Sequence, residues 1–536
     1  MGARAQGAGV VPGNGWRWAP ALLILLVSAA LLGLAASIGT RPLSMPEEGR
    51  YVGVAWEMVR SGDWLVPTEN GLPFLHKPPL FYWLTAAMLS LFGSVPAAAR
   101  LAPLLGALGG GLAMALLTRR WLGAAAARWV GVVLLTMPAF FAVAQFANLD
   151  ILVAGCMAAT IALAAHAVLL QQHGAAWHRV VVAVWVAAAL GVLAKGLIGL
   201  LLPGLIVAVW LLATRQPRAI VRLLSPWGVA AFAVVALPWF FAIQGRFPGF
   251  AHYFVVYQHF ERFTAGGFNN VRPWWFYLVL VPLLSLPWSL WLIRRPRATP
   301  AEPDRHSAER APLDVGQQLQ WLFWIWIGVV LLFFSLPASK PLGYAAPLLF
   351  PIAALAAQAI VRRCDKAGSD RWAMASAVVG LLLCLGAVFA ASRFDRRGND
   401  DVAAALRQHR SAGEPVVMVG EYFFDLPVLA GLRRPVPVVG RWQDPRIAAF
   451  DNWQRELSED ASFAPQKAAT LLVGSLTAAL PCGSATAWAV VRSGDEAYLK
   501  EAATAERVFS AASGRSALWR VSARSCTSAA PLEAAP

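Results

Sequence analysis

The sequence predicts an all-α membrane protein that crosses the bilayer many times and carries a small soluble α/β domain at its C-terminus. Of its 536 residues, 58% are hydrophobic and 14% are charged, whereas soluble domains carry about 25% charged residues. Apolar stretches near the roughly 20 residues that span a bilayer recur along most of the chain. From about residue 393 the composition becomes more polar, so we divide the chain into a membrane domain, 1–392, and a soluble domain, 393–536.

Hydropathy predicts about eleven membrane spans. They are 19–38, 97–118, 128–145, 150–170, 179–195, 197–214, 226–244, 274–293, 319–337, 342–361 and 372–392. The segment 78–92 is also apolar but short. Counting it as a span would place every later basic loop outside the cell, whereas basic loops normally face the cytoplasm. We therefore predict an interfacial helix there, lying on the outer face. A further span remains the alternative.

Basic residues set the orientation. They form short clusters between the apolar stretches, such as Arg119–Arg120 and Arg362–Arg363, and such clusters mark cytoplasmic loops. The soluble domain then lies outside, in the periplasm of a bacterial inner membrane. Because the net charge of +16 is scattered rather than gathered in one patch, we expect no nucleic-acid partner.

The polar C-terminal region is predicted to form strands at Pro415–Val419 and Thr470–Gly474. Five cysteines are too few and too scattered for a disulfide scaffold or a metal knuckle. In a periplasmic domain, Cys482 and Cys526 could form one disulfide. The loop 294–316 is predicted to be a flexible cytoplasmic linker.

An acidic pair, Glu47 and Glu48, follows the first span and is followed in turn by Arg50. Neighbouring carboxylates raise each other's pKa and often serve as a base or bind a cation. An arginine beside them can hold a phosphate through charge-assisted hydrogen bonds. The alternative is an ordinary helix start, at which acidic side chains complement the helix dipole.

Several motifs together resemble the GT-C glycosyltransferases of the lipid A aminoarabinose transferase and protein O-mannosyltransferase group. The resemblance covers residues 15–365. The motifs are 46–51 (PEEGRY), 61–67 (SGDWLVP), 76–83 (HKPPLFYW), 91–93 (LFG), 148–150 (NLD), 194–196 (AKG), 252–263 (HYFVVYQHFERF) and 334–344 (FSLPASKPLGY). The first acidic position is usually Asp in this group, and His76 stands where the lipid A enzymes usually carry Glu.

The resemblance implies a GT-C helix bundle with periplasmic juxtamembrane helices and an inverting transfer of a sugar from a polyprenyl-phosphate donor. It implies catalytic roles for Glu47, Glu48 and Asp150. It implies donor or phosphate binding by Arg50, Tyr51, Lys77, Tyr82, Lys195, His259, Arg262, Arg272, Lys340 and Tyr344. No cofactor is certain, although His76 and His259 would be the ligands of a divalent metal ion.

The implied acceptor is lipid A or another envelope glycan, the implied sugar is 4-amino-4-deoxy-L-arabinose, and we expect a monomer surrounded by membrane lipids. The motifs leave a protein O-mannosyltransferase or another envelope-glycan transferase open. A lipid transporter or flippase is a further alternative, as is a scaffold whose soluble domain binds a partner. For single residues, Asp150 as a helix cap and Lys195 as a snorkelling side chain are the structural alternatives.

Overall fold

The computed structural model describes residues 19–93, 96–261, 270–293, 313–367, 370–394, 397–449, 451–480 and 486–523. The membrane domain is a bundle of α-helices. They are α1 Ala19–Ser37, α2 Glu47–Ser61, α3 Leu80–Phe92, α4 Pro96–Ala99, α5 Leu101–Leu122, α6 Ala124–Leu135, α7 Pro138–Val143, α8 Asp150–Gln172, α9 His178–Lys195, α10 Ile198–Ala213, α11 Pro217–Leu223, α12 Pro226–Arg246, α13 Phe276–Leu284, α14 Leu290–Ile293, α15 Val315–Ser335, α16 Ala346–Ala367 and α17 Arg371–Phe394. A π-helix covers His252–Glu261, a 3₁₀ helix covers Leu342–Ala345, and a hairpin pairs β1 Thr68–Glu69 with β2 Leu72–Pro73.

Seven helices of the described residues are long and apolar enough to cross a membrane. They are Pro96–Leu122, Asp150–Gln172, His178–Lys195, Pro226–Arg246, Val315–Ser335, Leu342–Cys364 and Arg371–Phe394. Each matches a predicted span. The chain is a multi-pass membrane protein, as its composition predicts.

Two predicted spans are not single helices. The stretch 128–145 divides into α6 and α7 just before Pro138, and the stretch 274–293 divides into α13 and α14 around Pro287. Proline lacks the backbone N–H that a continuous helix needs, so these two apolar stretches do not form continuous helices. Helix α3 is 13 residues long, which gives about 20 Å of helix against roughly 30 Å of hydrocarbon. It is too short to span, as predicted for an interfacial helix.

Small residues let the central helices approach closely. A side chain on Gly155 of α8 would overlap the backbone of Gly106 of α5, and a side chain on Gly106 would overlap the backbone of Leu152 of α8. In a bilayer, such contacts replace the hydrophobic drive that packs helices in water. This crossing holds the start of α8, and therefore Asp150, against the bundle.

The C-terminal region contains a mixed six-stranded sheet with strand order β5-β4-β3-β6-β8-β7. The strands are β3 Val416–Val419, β4 Val438–Val439, β5 Leu472–Val473, β6 Ala487–Arg492, β7 Ala503–Ser510 and β8 Ser516–Ala523. Its helices are α18 Asp400–His409, α19 Leu426–Leu429, α20 Trp453–Ala461, α21 Pro465–Leu471, α22 Leu476–Ala479 and α23 Glu496–Ala502, with a 3₁₀ helix at Pro445–Ala449. The β3–β6 and β3–β4 pairs are parallel, whereas β8 runs antiparallel to β6 and β7.

Alternation along β3 buries both faces of this sheet. Val416 and Met418 face one core, and Val417 and Val419 face the other, as the two-residue period of a strand requires. The predicted α/β character is confirmed. The boundary drawn at 392/393 lies two residues before the end of α17 at Phe394. Cys482, Cys526 and most of the predicted linker 294–316 lie outside the described residues.

Candidate active site

Helix α2 carries the acidic motif at its start. It begins at Glu47 and ends at Ser61, where Gly62 takes a left-handed conformation with φ of 73° that glycine adopts without strain. Residues three and four apart share a helix face. Glu47 therefore shares a face with Arg50 and Tyr51, whereas Glu48 points to a different side.

Glu48 is fully buried at the centre of a network of hydrogen bonds. Six hydrogen bonds reach its carboxylate: two each from the guanidinium groups of Arg41 and Arg100, and one each from the backbone N–H groups of Ser44 and Ala147. The bond from Arg100 Nη2 is 2.8 Å long, and the bond from Arg41 Nη1 is 2.7 Å long. This network joins the end of α1, the start of α2, the start of α5 and the turn before α8.

Burial alone would raise the pKa of Glu48, but Arg100 and Arg41 outweigh that effect and lower the pKa. The carboxylate is thus charged and its oxygens are saturated. It keeps no lone pair for a substrate proton, so this geometry does not fit the catalytic role that the resemblance implies for Glu48.

Glu47 has the opposite environment. Its side chain is exposed, and among the residues that the structure describes its carboxylate has no hydrogen-bond or ion-pair partner. A carboxylate at the first turn of a helix also lies in the favourable field of the helix dipole. Glu47 is therefore accessible, and no described side chain occupies its carboxylate.

Arg50 and Tyr51 continue the same face of α2. The Arg50 guanidinium lies over the Tyr51 ring at 4.7 Å from its centroid, and its Nη2 donates to the Tyr51 hydroxyl over 3.3 Å. Burial raises the pKa of Tyr51, while the charges on Arg50 and then Lys195 oppose that rise. Arg50 and Lys195 therefore both favour the ionised form of the same hydroxyl.

Three predicted residues from distant parts of the chain meet beside Tyr51. Asp150, the first residue of α8, accepts a hydrogen bond from the ammonium of Lys195 at the end of α9. The same ammonium lies over the ring of Tyr344, at 4.6 Å from its centroid. Gly343 packs so closely on Asp150 that any side chain there would overlap the carboxylate.

These contacts decide between the alternatives for two residues. Asp150 does not cap its helix, because α8 has Leu149 at the cap position and no side-chain cap. Lys195 does not extend into water, because its side chain is 17% exposed and paired. Both side chains are held in place rather than solvated.

His76 lies in a hydrogen-bonded network rather than in a metal site. Its Nε2 is 3.0 Å from the Asp460 carboxylate, and its Nδ1 is 3.1 Å from the Tyr253 hydroxyl and 3.2 Å from the amide nitrogen of Gln258. Both ring nitrogens are therefore engaged. Within the described residues, no group of three or more His, Cys, Asp or Glu side chains is arranged to hold a metal ion.

The predicted metal role of His76 does not fit this geometry. The side chain of His259, the other predicted ligand, and all of Arg262 lie outside the described residues.

The remaining predicted residues differ in their burial and in their contacts. Lys77 is half-buried directly after His76. Tyr82 is buried, and its hydroxyl finds no hydrogen-bond partner among the described residues. The segments carrying Arg272 and Lys340 pair through their backbones. Lys340 is buried and donates to the Pro337 carbonyl, whereas Arg272 is exposed.

Sequence reasoning missed the partners that organise this site. Arg41 and Arg100 neutralise Glu48, and Glu456 of α20 pairs with Arg50. Arg100 lay at the start of a predicted span and Glu456 lay in the soluble domain. Arg41 and Arg100 gave one sequence signal, since each is a charged side chain among uncharged neighbours. Glu456 gave none, because it lies among other charged residues.

Comparisons with known proteins extend this picture. Residues 76–241 match the family described as dolichyl-phosphate-mannose-protein mannosyltransferase. The chain is 32% identical over 353 residues to undecaprenyl phosphate-alpha-4-amino-4-deoxy-L-arabinose arabinosyl transferase 1 of Sodalis glossinidius, covering 63% of this chain and 58% of that one. It is 30% identical over 330 residues to the corresponding transferase of Aeromonas salmonicida, covering 60% and 56%. The chain thus spans less than two thirds of the length of these curated relatives.

A solved structure matches over almost the whole chain. The crystal structure of ArnT from Cupriavidus metallidurans bound to undecaprenyl phosphate aligns with a TM-score of 0.76 and 25% identity, covering 94% of this chain and 98% of that one. The apo structure of the same protein aligns with a TM-score of 0.74. The resemblance that the motifs predict is confirmed, and so is the polytopic GT-C fold.

Proposed function

Because the chain carries a dolichyl-phosphate-mannose-protein mannosyltransferase domain and the fold of the aminoarabinose transferases, we propose that it is an inverting, polyprenyl-phosphate-sugar-dependent glycosyltransferase. One observation carries the proposal. An accessible carboxylate, Glu47, which has no partner among the described residues, shares a helix face with Arg50 and Tyr51, and Arg50 donates a hydrogen bond to the Tyr51 hydroxyl.

The reaction is a single displacement at the anomeric carbon of the donor sugar. The bond between that carbon and the phosphate oxygen breaks, and a bond from the acceptor oxygen to the carbon forms. The phosphate leaves with the electron pair, and cationic side chains stabilise its developing charge. Arg50, Lys77 and Lys195 supply those charges, and the ion pair with Asp150 positions the Lys195 ammonium.

Glu47 receives the proton when the acceptor is a hydroxyl group, which makes it the general base. When the acceptor is an ionised phosphate, no proton needs removal, and Glu47 then orients the acceptor or the donor's amine. In both cases Glu48 has only an indirect role, because it holds the start of α2, and therefore Glu47, in place. The longer side chain of Glu47, relative to the usual Asp, moves the carboxylate by one carbon–carbon bond.

The substrates follow from the relatives. Their names describe transfer of 4-amino-4-deoxy-L-arabinose from undecaprenyl phosphate, so we propose this donor and lipid A as acceptor. We place the site on the periplasmic face of a bacterial inner membrane, in a chain that acts as a monomer. A protein O-mannosyltransferase is the second candidate, favoured by the family match over 76–241.

Two measurements test this assignment. Lipid A from cells with and without the gene is compared by mass spectrometry, and the aminoarabinose assignment expects a pentose-amine mass only when the gene is present. The purified chain in nanodiscs is then given radiolabelled undecaprenyl-phosphate aminoarabinose or polyprenyl-phosphate mannose. Labelled protein instead of labelled lipid A would favour the second candidate, and no transfer from either donor would reject the proposal.

A further inference from the structure

Helix α20 of the soluble domain presents an acidic face. Glu456, Glu459 and Asp460 are three and four residues apart, so they lie on one side of the helix. Asn452 caps its N-terminus by accepting a hydrogen bond from the Arg455 N–H over 2.9 Å. This short helix is therefore a defined support for three carboxylates.

All three carboxylates of this face contact the membrane domain, and Glu459 and Asp460 both lie against His76. Glu456 accepts two bonds from Arg50 Nη1, of 2.8 and 3.1 Å. Asp460 is 3.0 Å from His76 Nε2. Glu459 accepts bonds from the hydroxyl groups of Tyr253 and Tyr257, over 2.9 and 2.6 Å.

The pairs are largely withdrawn from water. The Glu456 side chain is 13% exposed and the Arg50 side chain 22% exposed, and Asp460 is fully buried against His76. The charge-assisted hydrogen bonds of the Arg50–Glu456 pair are strong and geometrically specific in such surroundings. Removing Glu456 would leave the Arg50 charge uncompensated, so Glu456 fixes where Arg50 points, and the buried hydrogen bond between Asp460 and His76 orients the imidazole ring.

The geometry at Arg50 shows what Glu456 fixes. The ion pair uses only Nη1, and Nη2 lies against the Tyr51 hydroxyl. Nε has no acceptor among the described residues. Glu456 therefore anchors one corner of the guanidinium and leaves Nη2 directed at the Tyr51 hydroxyl.

Other contacts hold the soluble domain in place independently of α20. The side-chain amide of Asn70 exchanges two 2.8 Å hydrogen bonds with the backbone of Val436, and Lys467 donates to the Gly71 carbonyl over 2.6 Å. Met45, two residues before the start of α2, belongs to the core of the soluble domain. Neutralising one carboxylate of α20 should therefore leave the two domains joined.

We infer that the soluble domain completes the donor site, with Glu456 as a positioning residue for Arg50 and Asp460 as a positioning residue for the His76–Lys77 turn. The inference rests on the proposed function, in which Arg50 and Lys77 face the lipid phosphate. It gives the soluble domain, in which we find no transferase motif, a role in recognising the phosphate.

The test compares Glu456→Gln with Glu456→Asp in the full chain in nanodiscs, using undecaprenyl phosphate as the probe. Direct binding is measured first, followed by the KM values for donor and acceptor. Since misplacement by about 1 Å can cost about 100-fold, we expect Glu456→Gln to weaken undecaprenyl phosphate binding and raise the donor KM at least about tenfold. The acceptor KM should stay unchanged, and Glu456→Asp should recover part of the loss. Glu501→Gln, at an exposed position of the same domain, is the matched control.

Unchanged binding in Glu456→Gln would overturn the inference. So would a loss shared equally by donor, acceptor and thermal stability, which would show a merely structural role. A wild-type chain that binds undecaprenyl phosphate but transfers no sugar would reject the proposed function, and the binding comparison would still decide the role of Glu456. A wild-type chain that does not bind undecaprenyl phosphate would overturn both.

Discussion

Glu47 and Glu48 are neighbours on the first turn of α2, yet their surroundings differ in every respect. Six hydrogen bonds and two arginines saturate Glu48, which is fully buried. Glu47 is exposed and has no partner among the residues that the structure describes. One residue of helix rotation, about 100°, separates a carboxylate inside the fold from one outside it.

The difference shows how a motif can combine two functions. A saturated carboxylate holds backbone segments together because its partners satisfy every lone pair. The carboxylate at the preceding position can accept a proton or orient a substrate, because no side chain of the described residues competes for it. We therefore separate the acidic pair into a structural member, Glu48, and a chemical member, Glu47.

Removal of the Glu48 carboxylate is expected to have the largest effect on folding. Glu48→Ala leaves Arg41 and Arg100 buried without their counterion, which costs about 3–5 kcal/mol. We expect a strongly lowered melting temperature in detergent and little folded protein. Glu47→Ala, the matched control, should melt like the wild type. Equal melting temperatures for both variants would erase the distinction between the two carboxylates.

Lys195 tests the chemical side of the comparison. Lys195→Met removes the ammonium and keeps most of the apolar stem, so the transition state loses one stabilising charge. A fall of about 100-fold or more in kcat/KM is expected, with folded protein recovered because Asp150 keeps its contact with Asn148. A loss below threefold, with normal stability, would remove Lys195 from the phosphate site.

Arg272 should show the smallest effect. Its side chain is exposed, and its guanidinium contacts only the ring of Phe276, at 5.8 Å, among the described residues. Arg272→Ala is expected to change kcat/KM by less than about twofold and stability by about 0.5 kcal/mol or less. A tenfold loss of activity would restore the phosphate-binding role that the motifs imply for it.

Local patterns explain how much of the fold was predictable. Apolar length alone located helices such as Asp150–Gln172 and Arg371–Phe394. It could not show that Pro138 and Pro287 would divide two spans, because hydropathy does not register a missing N–H group.

Motif order also gathered Asp150, Lys195 and Tyr344 correctly, since all three lie at helix ends or in loops on one side of the bundle. The pairing of Glu48 with Arg100 joins residues 52 apart, and that of Arg50 with Glu456 joins residues 406 apart. No local period relates such residues, so only the folded chain reveals them. The acidic pair was therefore predicted as one catalytic unit, although its members point in different directions.

The central claim is that Glu47, and not Glu48, acts on the substrates. The most direct test measures transfer from radiolabelled undecaprenyl-phosphate aminoarabinose by the wild type, Glu47→Ala and Glu47→Asp, each with the wild-type melting temperature. Loss of a general base costs about 10²–10⁴-fold, so Glu47→Ala should lose at least about 100-fold while Glu47→Asp retains measurable transfer. Full activity in folded Glu47→Ala would contradict the account.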